Sequence, residues 1–460
     1  PYVVYLKPGV IWYDTSNELL QWFHLPNLFS MGQLGDHHPI LDTVIFGLFV
    51  QAGNALGSGD NGIFVYTIAQ SAITSMAFAH TLQRMRALGA SKRLTTISFM
   101  FVSFFPIVPM YAVTMVKESL FLPLFLCFAL EVVDIARSSG SSLSNKRQLA
   151  AFVGLALLIS LTRKTGMYIV FGVCITLIFV VQKKYLIRVL SALAATMVTM
   201  AILLPMVVFP AFNVQPGGKQ EMLAIPFQQT ARIMKEHRVT IDADHKAIYE
   251  RVLGRDVAQR YSPFTPDPVK GFVWDSRKNQ FLGQYMTMWI ADFFKYPKSY
   301  IEAYAALEYG WVALPSASSS GVSNRLMPVF ATGTNHSFFE GHEKLGLRSN
   351  DVSAGRNLEK VVLWVEQTPM GMIFFSRALW TTWMFAFAIY EIFRVRGKRK
   401  IELFGCVSPY VFSYLLLWIS PISGSIEAMR YMIPQVFLAP MTLAIIAVYR
   451  ARGVETTAEN

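Results

Sequence analysis

Long apolar runs, each near the length of one bilayer crossing and separated by basic clusters, constrain this chain more than any other feature. A helix needs about 20 mostly apolar residues to cross the hydrocarbon core of a membrane. The clear candidates are residues 62–82, 95–115, 119–133, 190–212, 370–393, 404–419 and 431–448. Two shorter runs, 149–161 and 166–181, flank Arg163 and Lys164. They read as two short spans or as one re-entrant hairpin, and either choice leaves the parity downstream unchanged.

Composition agrees with this pattern. Of the 460 residues, 53% are hydrophobic and only 15% charged, against about 25% charged in soluble domains. Disordered, collagenous, coiled-coil and disulfide-scaffold classes are thereby excluded. The three cysteines, Cys127, Cys174 and Cys406, each fall inside an apolar run and read as packing residues. The net charge of +12 does not indicate nucleic acid, because the basic residues sit in short clusters between the apolar runs and no base-reading motif accompanies them.

Those clusters set the topology. Arg84, Arg86, Lys92 and Arg93 form one; Arg137, Lys146 and Arg147 the next; then Lys183, Lys184 and Arg188; then Arg394, Arg396, Lys398, Arg399 and Lys400; and last Arg450 and Arg452. Every second loop is basic, which places these on the cytoplasmic side. Loops 8–61, 116–118, 162–165, 213–369 and 420–430 then face outward. The run 39–56 is apolar enough to be helical, but spanning would put every later basic cluster outside. It is therefore expected to lie at the outer membrane surface, with Asp42 and Gln51 suiting a partly wet helix. Residues 1–6 read as the tail of an apolar segment, so a preceding first helix is expected.

The expected fold is an all-α polytopic membrane protein in three parts. Residues 1–212 form an N-terminal membrane module, 213–369 a small, mainly helical extracytoplasmic domain, and 370–460 the C-terminal membrane helices. Within the polar part, 228–253 and 281–307 read as helical, the second carrying Trp289, Phe293 and Phe294, and 316–324 is a Ser/Gly-rich linker. There is no internal repeat, so an inverted-repeat transporter is not supported.

Four outward-facing constellations carry chemistry, since ionisable groups at membrane level are costly and mark functional sites. The first loop holds Asp14 and Glu18, then Asp36, His37, His38 and Pro39. A carboxylate in a partly desolvated pocket serves as a general base, and Asp with His also suits a divalent ion. Read alone, Asp14 equally suits an N-cap, and Asp36 to Pro39 equally suits a helix start. The second constellation is Lys117 and Glu118. The third is Arg163 and Lys164, adjacent cations that suit a phosphate. The fourth is Glu427, Arg430 and Tyr431, with an interfacial anchor as the plainer reading. Acids beside cations on one face suit transfer from a lipid phosphate: an acid takes the acceptor's proton and cations stabilise the departing phosphate. No Walker A, strand-linked GxGxxG, GxSxG, HExxH or paired CxxC pattern is present. The sequon Asn335-His336-Ser337 is a three-residue match only.

In order and spacing, PGVIWYDTSNELLQW, GDHHPILDT, VKESLF, LTRKTGMYI and EAMRYMIP resemble the GT-C superfamily of polyprenyl-phosphate-dependent glycosyltransferases. Within it the chain looks most like the bacterial family DUF6020. The resemblance covers most of the chain outside the extracytoplasmic domain. It implies a GT-C-like helical bundle whose first outer loop carries surface helices and a catalytic acid, at Asp14. It implies that His38-Pro39 follows as a basic-Pro step and that Glu118 takes the second-loop acid position, where the family usually has Asp. Arg163, Lys164 and Arg430, with Lys117, are then contacts for the donor phosphate, and Asp36, His37 and His38 shape the acceptor pocket or hold magnesium or manganese.

The leading expectation is an inverting glycosyltransferase of a bacterial cell membrane, with its active site facing outside. It would use a polyprenyl-phosphate sugar and a glycan, lipid or protein acceptor, and no nucleic acid. Two other classes remain open: a polysaccharide polymerase or ligase using a lipid diphosphate, and a flippase or transporter for lipid-linked sugars. A transporter needs ionisable groups near the midplane, whereas these helix interiors are nearly free of charge, Arg377 being the main exception. The sugar, the acceptor, the metal and the oligomeric state are not encoded in any motif.

Overall fold

The computed structural model describes residues 1–314, 325–326, 331–419, 423 and 428–458. The Ser/Gly linker and Glu427 lie outside the described residues. Described strand is confined to one two-residue pair and isolated bridges; the rest is helix and connecting loop. Among the described residues, five helices are long and apolar enough to cross a membrane: Gly59–Ala87, Lys117–Arg137, Lys183–Ala211, Lys398–Trp418 and Met429–Ala451. Such segments mark a membrane protein.

Proline and glycine decide where the other apolar runs depart from single straight spans. Pro106 lacks a backbone N–H and ends the run at 95–115 early, giving Lys92–Phe104 and then the short turn Ile107–Ala112. The run at 370–393 divides into Pro369–Phe374, a π-helical stretch Leu379–Trp383, and Met384–Arg394. Around Pro205 the span Lys183–Ala211 also widens into a π-helix, Thr199–Val208. That span is hardly buried, as expected of a helix facing lipid. The runs flanking Arg163 form two helices, Lys146–Thr162 and Lys164–Val180, joined by the single extended residue Arg163 and packed against each other. At 17 residues each they are about 25 Å long.

The helix Ile40–Ala55, expected at the outer membrane surface, packs along a neighbouring helix. It is the hairpin partner of Gly59–Ala87, with Phe46 and Phe49 set edge-on against Tyr66. Gly53 and Gly62 allow this approach: a Cβ on Gly62 would stand 1.9 Å from the Phe49 carbonyl oxygen. Gly59–Ala87 has 29 residues, roughly 43 Å, which exceeds a hydrocarbon core of about 30 Å. The excess length is accommodated by tilt or by ends that pass the apolar slab. Asp42, expected to be wet, is fully buried, while Gln51 is exposed and accepts a hydrogen bond from Trp22.

The membrane helices share one apolar core, in which Lys398–Leu415 packs against Lys117–Arg137, Lys164–Val180 and the C-terminal helix Met429–Ala458. The polar insert has its own core around Phe227, Tyr249, Val252, Tyr285 and Tyr300. There the helical stretch 228–253 is two helices, Ala224–Glu236 and Ala243–Leu253, and 281–307 is also two, Leu282–Lys295 and Pro297–Val312. Arg377 ties the insert to the bundle. It is fully buried, donates to the carbonyls of Arg325 and Ser423, and stacks over Trp311.

Candidate functional site

A two-residue register sets the site. Val10–Ile11 pairs in parallel with Thr114–Met115, Ile11 opposite Met115, with all four residues fully buried or nearly so. Three residues past Ile11 lies Asp14, in the first turn of the helix Tyr13–Trp22; two past Met115 lies Lys117, the first residue of its helix. Parallel strands carry both chains in the same direction, so Asp14 and Lys117 emerge side by side. Thr15 secures the register by donating to the Met115 carbonyl. Asp14 is not an N-cap: the helix begins at Tyr13 and its side chain makes no cap bond.

The Asp14 carboxylate is the hub. Its Oδ2 accepts from Lys117 Nζ at 2.8 Å and from Arg430 Nη1 at 2.6 Å. Lys117 Nζ also lies 3.2 Å from His38 Nδ1, which stands 3.8 Å from the same carboxylate oxygen. Burial disfavours the Asp14 charge, but Arg430 and Lys117 together override it and hold the carboxyl well below its ordinary range. Burial and the neighbouring Lys117 also lower both histidines, His37 to about 3 and His38 well below its ordinary value. Both are therefore neutral near pH 7, which leaves His38 Nδ1 free to accept from the ammonium.

Tyr431 organises the cations. Its ring lies between two guanidiniums, with Arg430 at 5.1 Å and Arg163 at 5.8 Å from the centroid. Arg163 donates to the Tyr431 carbonyl at 3.2 Å. Such cation–π contacts hold the guanidiniums as forks suited to phosphate oxygens.

These groups open on a cavity of about 390 Å³ lined by Asp14, His37, His38, Lys117, Arg430 and Tyr431, with the rings of Tyr13, Phe29 and Phe272. His37 stacks on Phe29 at 3.8 Å. The far wall comes from the polar insert and was not expected from sequence: Glu221, Asp267 and Lys270. Lys270 is only 5% exposed and pairs with both acids, at 2.5 Å and 3.1 Å. The insert is held to the first loop where Asp36 N–H donates to the Gln215 carbonyl and Gln215 N–H to the Leu34 carbonyl, each at 2.8 Å. The only sequence signal for that wall was the spacing of Asp267 and Lys270, three apart at the start of a short helix.

The other expected site residues lie elsewhere. Lys164 turns from the cavity to Asp36, 3.0 Å away, beside an apolar crevice lined by Leu161, Met167, Leu204 and Phe209. Glu118 does not line the cavity; it is fully buried behind Lys117. Asp36, His37 and His38 do not converge as metal ligands. Among the described residues, the grouping of three donors within 4.8 Å of one another is Asp242, His245 and Asp292 in the insert.

The chain matches the model of a family of unknown function, DUF6020, over residues 26–459, and belongs to that family. The match takes in every residue named at the site except those before residue 26, Asp14 among them. No curated protein and no solved structure matches it.

Proposed function

We propose that this chain, a member of the DUF6020 family, is an inverting membrane glycosyltransferase. It takes a sugar from a polyprenyl-phosphate donor and passes it to a cell-envelope acceptor at the outer face of a bacterial membrane. The observation that carries this reading is one carboxylate, Asp14, shared by Lys117 and Arg430 at the wall of an aromatic-lined cavity.

The chemistry follows from that sharing. A phosphate entering the cavity competes with Asp14 for Lys117 and Arg430, because guanidinium and ammonium groups bind phosphate oxygens strongly. As the cations turn to the phosphate, the force depressing Asp14 weakens and the carboxylate becomes a better base. The acceptor hydroxyl gives its proton to Asp14 while its oxygen bonds the anomeric carbon. The bond from that carbon to the phosphate oxygen breaks, and the electron pair leaves with the polyprenyl phosphate. Lys117 and Arg430, with Arg163 behind Tyr431, offset the charge that develops there. Attack opposite the leaving group inverts the centre. Tyr13, Phe29 and Phe272 offer ring faces to sugar C–H groups, and Glu221 and Asp267 offer acceptors to hydroxyls.

The test is transfer from defined polyprenyl-phosphate sugars by the purified full-length protein, beside Asp14→Asn. Release that depends on Asp14 supports the reading. No release from any monophosphate donor by folded protein, with turnover of a diphosphate-linked oligosaccharide, moves the assignment to a polymerase or ligase. No turnover of either donor, with movement of lipid-linked sugar across vesicles, moves it to a transporter.

A further inference from the structure

Behind the Asp14 site lie three acids with no counterpart in the chemistry above. Glu18, Asp42 and Glu118 are each 0% exposed. None of their six carboxylate oxygens receives a hydrogen bond from the protein. They come from three elements: Glu18 from Tyr13–Trp22, Asp42 from the first turn of Ile40–Ala55, and Glu118 from the first turn of Lys117–Arg137. They lie within electrostatic reach of one another. The cations within their electrostatic reach are Lys117, already engaged by Asp14 and His38, Arg430, engaged by Asp14, and Arg163, which faces Glu118 but donates to the Tyr431 carbonyl.

A second observation points inward to the same place. The Tyr66 hydroxyl, on a side chain 2% exposed, has no hydrogen-bond partner. Tyr66 is within electrostatic reach of Asp42 and Glu18. Buried carboxylates and a hydroxyl together without protein partners require an explanation. Protonating the acids removes their charge but not their need for partners, since a buried O–H also requires an acceptor. A hydrated cation supplies both the charge and, through its waters, the hydrogen bonds.

We propose that Glu18, Asp42 and Glu118, with the Tyr66 hydroxyl, form a buried site for one small divalent cation of the oxygen-preferring class. The acids are not drawn together within direct-ligand distance as Asp242, His245 and Asp292 are. The ion is therefore held partly through its own water, as magnesium-type ions commonly are. Its charge offsets the acids beside Lys117 and leaves that ammonium to Asp14 and the incoming phosphate. The site stands whatever reaction the cavity performs.

The experiment uses full-length protein in detergent, stripped with chelator and titrated with Mn²⁺, with free ion followed by electron paramagnetic resonance. Wild type is expected to bind Mn²⁺ in competition with Mg²⁺, since the buried oxygen donors suit both ions. Glu18→Gln with Asp42→Asn is expected to weaken Mn²⁺ by about tenfold or more. Asp242→Asn, which alters the other donor cluster, is expected to leave this binding in place. Unchanged Mn²⁺ binding in the double variant overturns the proposal. So does wild type that retains no Mn²⁺, a readout that holds even where the double variant does not fold.

Discussion

Arg430 and Asp14 stand 416 positions apart in the chain and 2.6 Å apart in the fold. The contact joins the last membrane helix to the first loop, so the site exists only when the whole bundle has closed. Removing a preorganised electrostatic contact of this kind costs about 10²–10³ in rate. Arg430→Gln is therefore expected to lower kcat/KM for donor by that factor, with Arg430→Lys intermediate because the fork is lost but the charge kept. Steady-state kinetics on folded protein check this, and near wild-type kcat/KM in Arg430→Gln removes the arginine from phosphate binding.

The insert wall leads to a different expectation. Lys270 holds Glu221 and Asp267 in the cavity and does not touch Asp14. Lys270→Met leaves the two acids facing each other without their cation, so they splay apart. We expect KM for the acceptor to rise about tenfold with donor binding unchanged, on the order of 1.4 kcal/mol. Donor hydrolysis measured without acceptor separates the two effects. Loss of donor affinity instead would place Lys270 on the phosphate.

The pH profile follows from the signs at the hub. Against the opposing effect of burial, Arg430 and Lys117 hold Asp14 well below the ordinary carboxylate range. A lowered carboxyl is ionised above its folded value, so its contribution to stability is present above about pH 4 and is lost as pH falls further. His37 and His38 are lowered by burial and by Lys117; neutral throughout, neither adds a limb near pH 6.5. We expect kcat/KM to be level from about pH 5 to about pH 8. With donor bound the cations leave Asp14, so the acid limb of kcat should lie at higher pH than that of kcat/KM. A histidine-like limb in kcat/KM for wild type, lost in His38→Gln, would place the base at His38.

Much of this was legible in the sequence, and the reasons differ by element. The apolar runs located the bundle because lipid exposure demands long uninterrupted apolar stretches. Asp14, Lys117 and Arg430 were legible because each is an ion at the end of an apolar segment, where charge is costly. Their direct contact was not, because it depends on the Val10–Ile11 and Thr114–Met115 pairing, two residues long and without a pattern of its own. Asp42 was misread as wet because a single acid in an apolar helix looks the same whether it faces water or a buried neighbour. Glu221, Asp267 and Lys270 were missed because charges are ordinary in a polar segment, and only the folded insert brings them to the cavity.

The segment near His336 closes the site from behind and yields a last expectation. His336 is fully buried, with its Nδ1 at 2.6 Å from Asp60 Oδ1 and its Nε2 at 3.0 Å from the Gly9 carbonyl. The second Asp60 oxygen accepts from Arg348 N–H at 3.0 Å. One carboxylate thus clasps both ends of a strap whose Phe339, Leu345 and Leu347 pack into the core beneath the first loop. The Tyr13 ring rests edge-on against Phe339 at 5.8 Å, and Tyr13 precedes Asp14. Breaking a buried pair of this kind costs about 3–5 kcal/mol, because the remaining partner stays buried without its mate. Asp60→Asn is therefore expected to lower the apparent melting temperature clearly, and to lower kcat by loosening Tyr13 while leaving the Asp14 chemistry in place. Asn350→Ala, which removes a weaker bond of the same strap to the Thr334 carbonyl at 3.3 Å, should cost about 1 kcal/mol or less. Melting followed by intrinsic fluorescence ranks the two. Asp60→Asn as stable as wild type would mean that the strap is held by its apolar contacts alone.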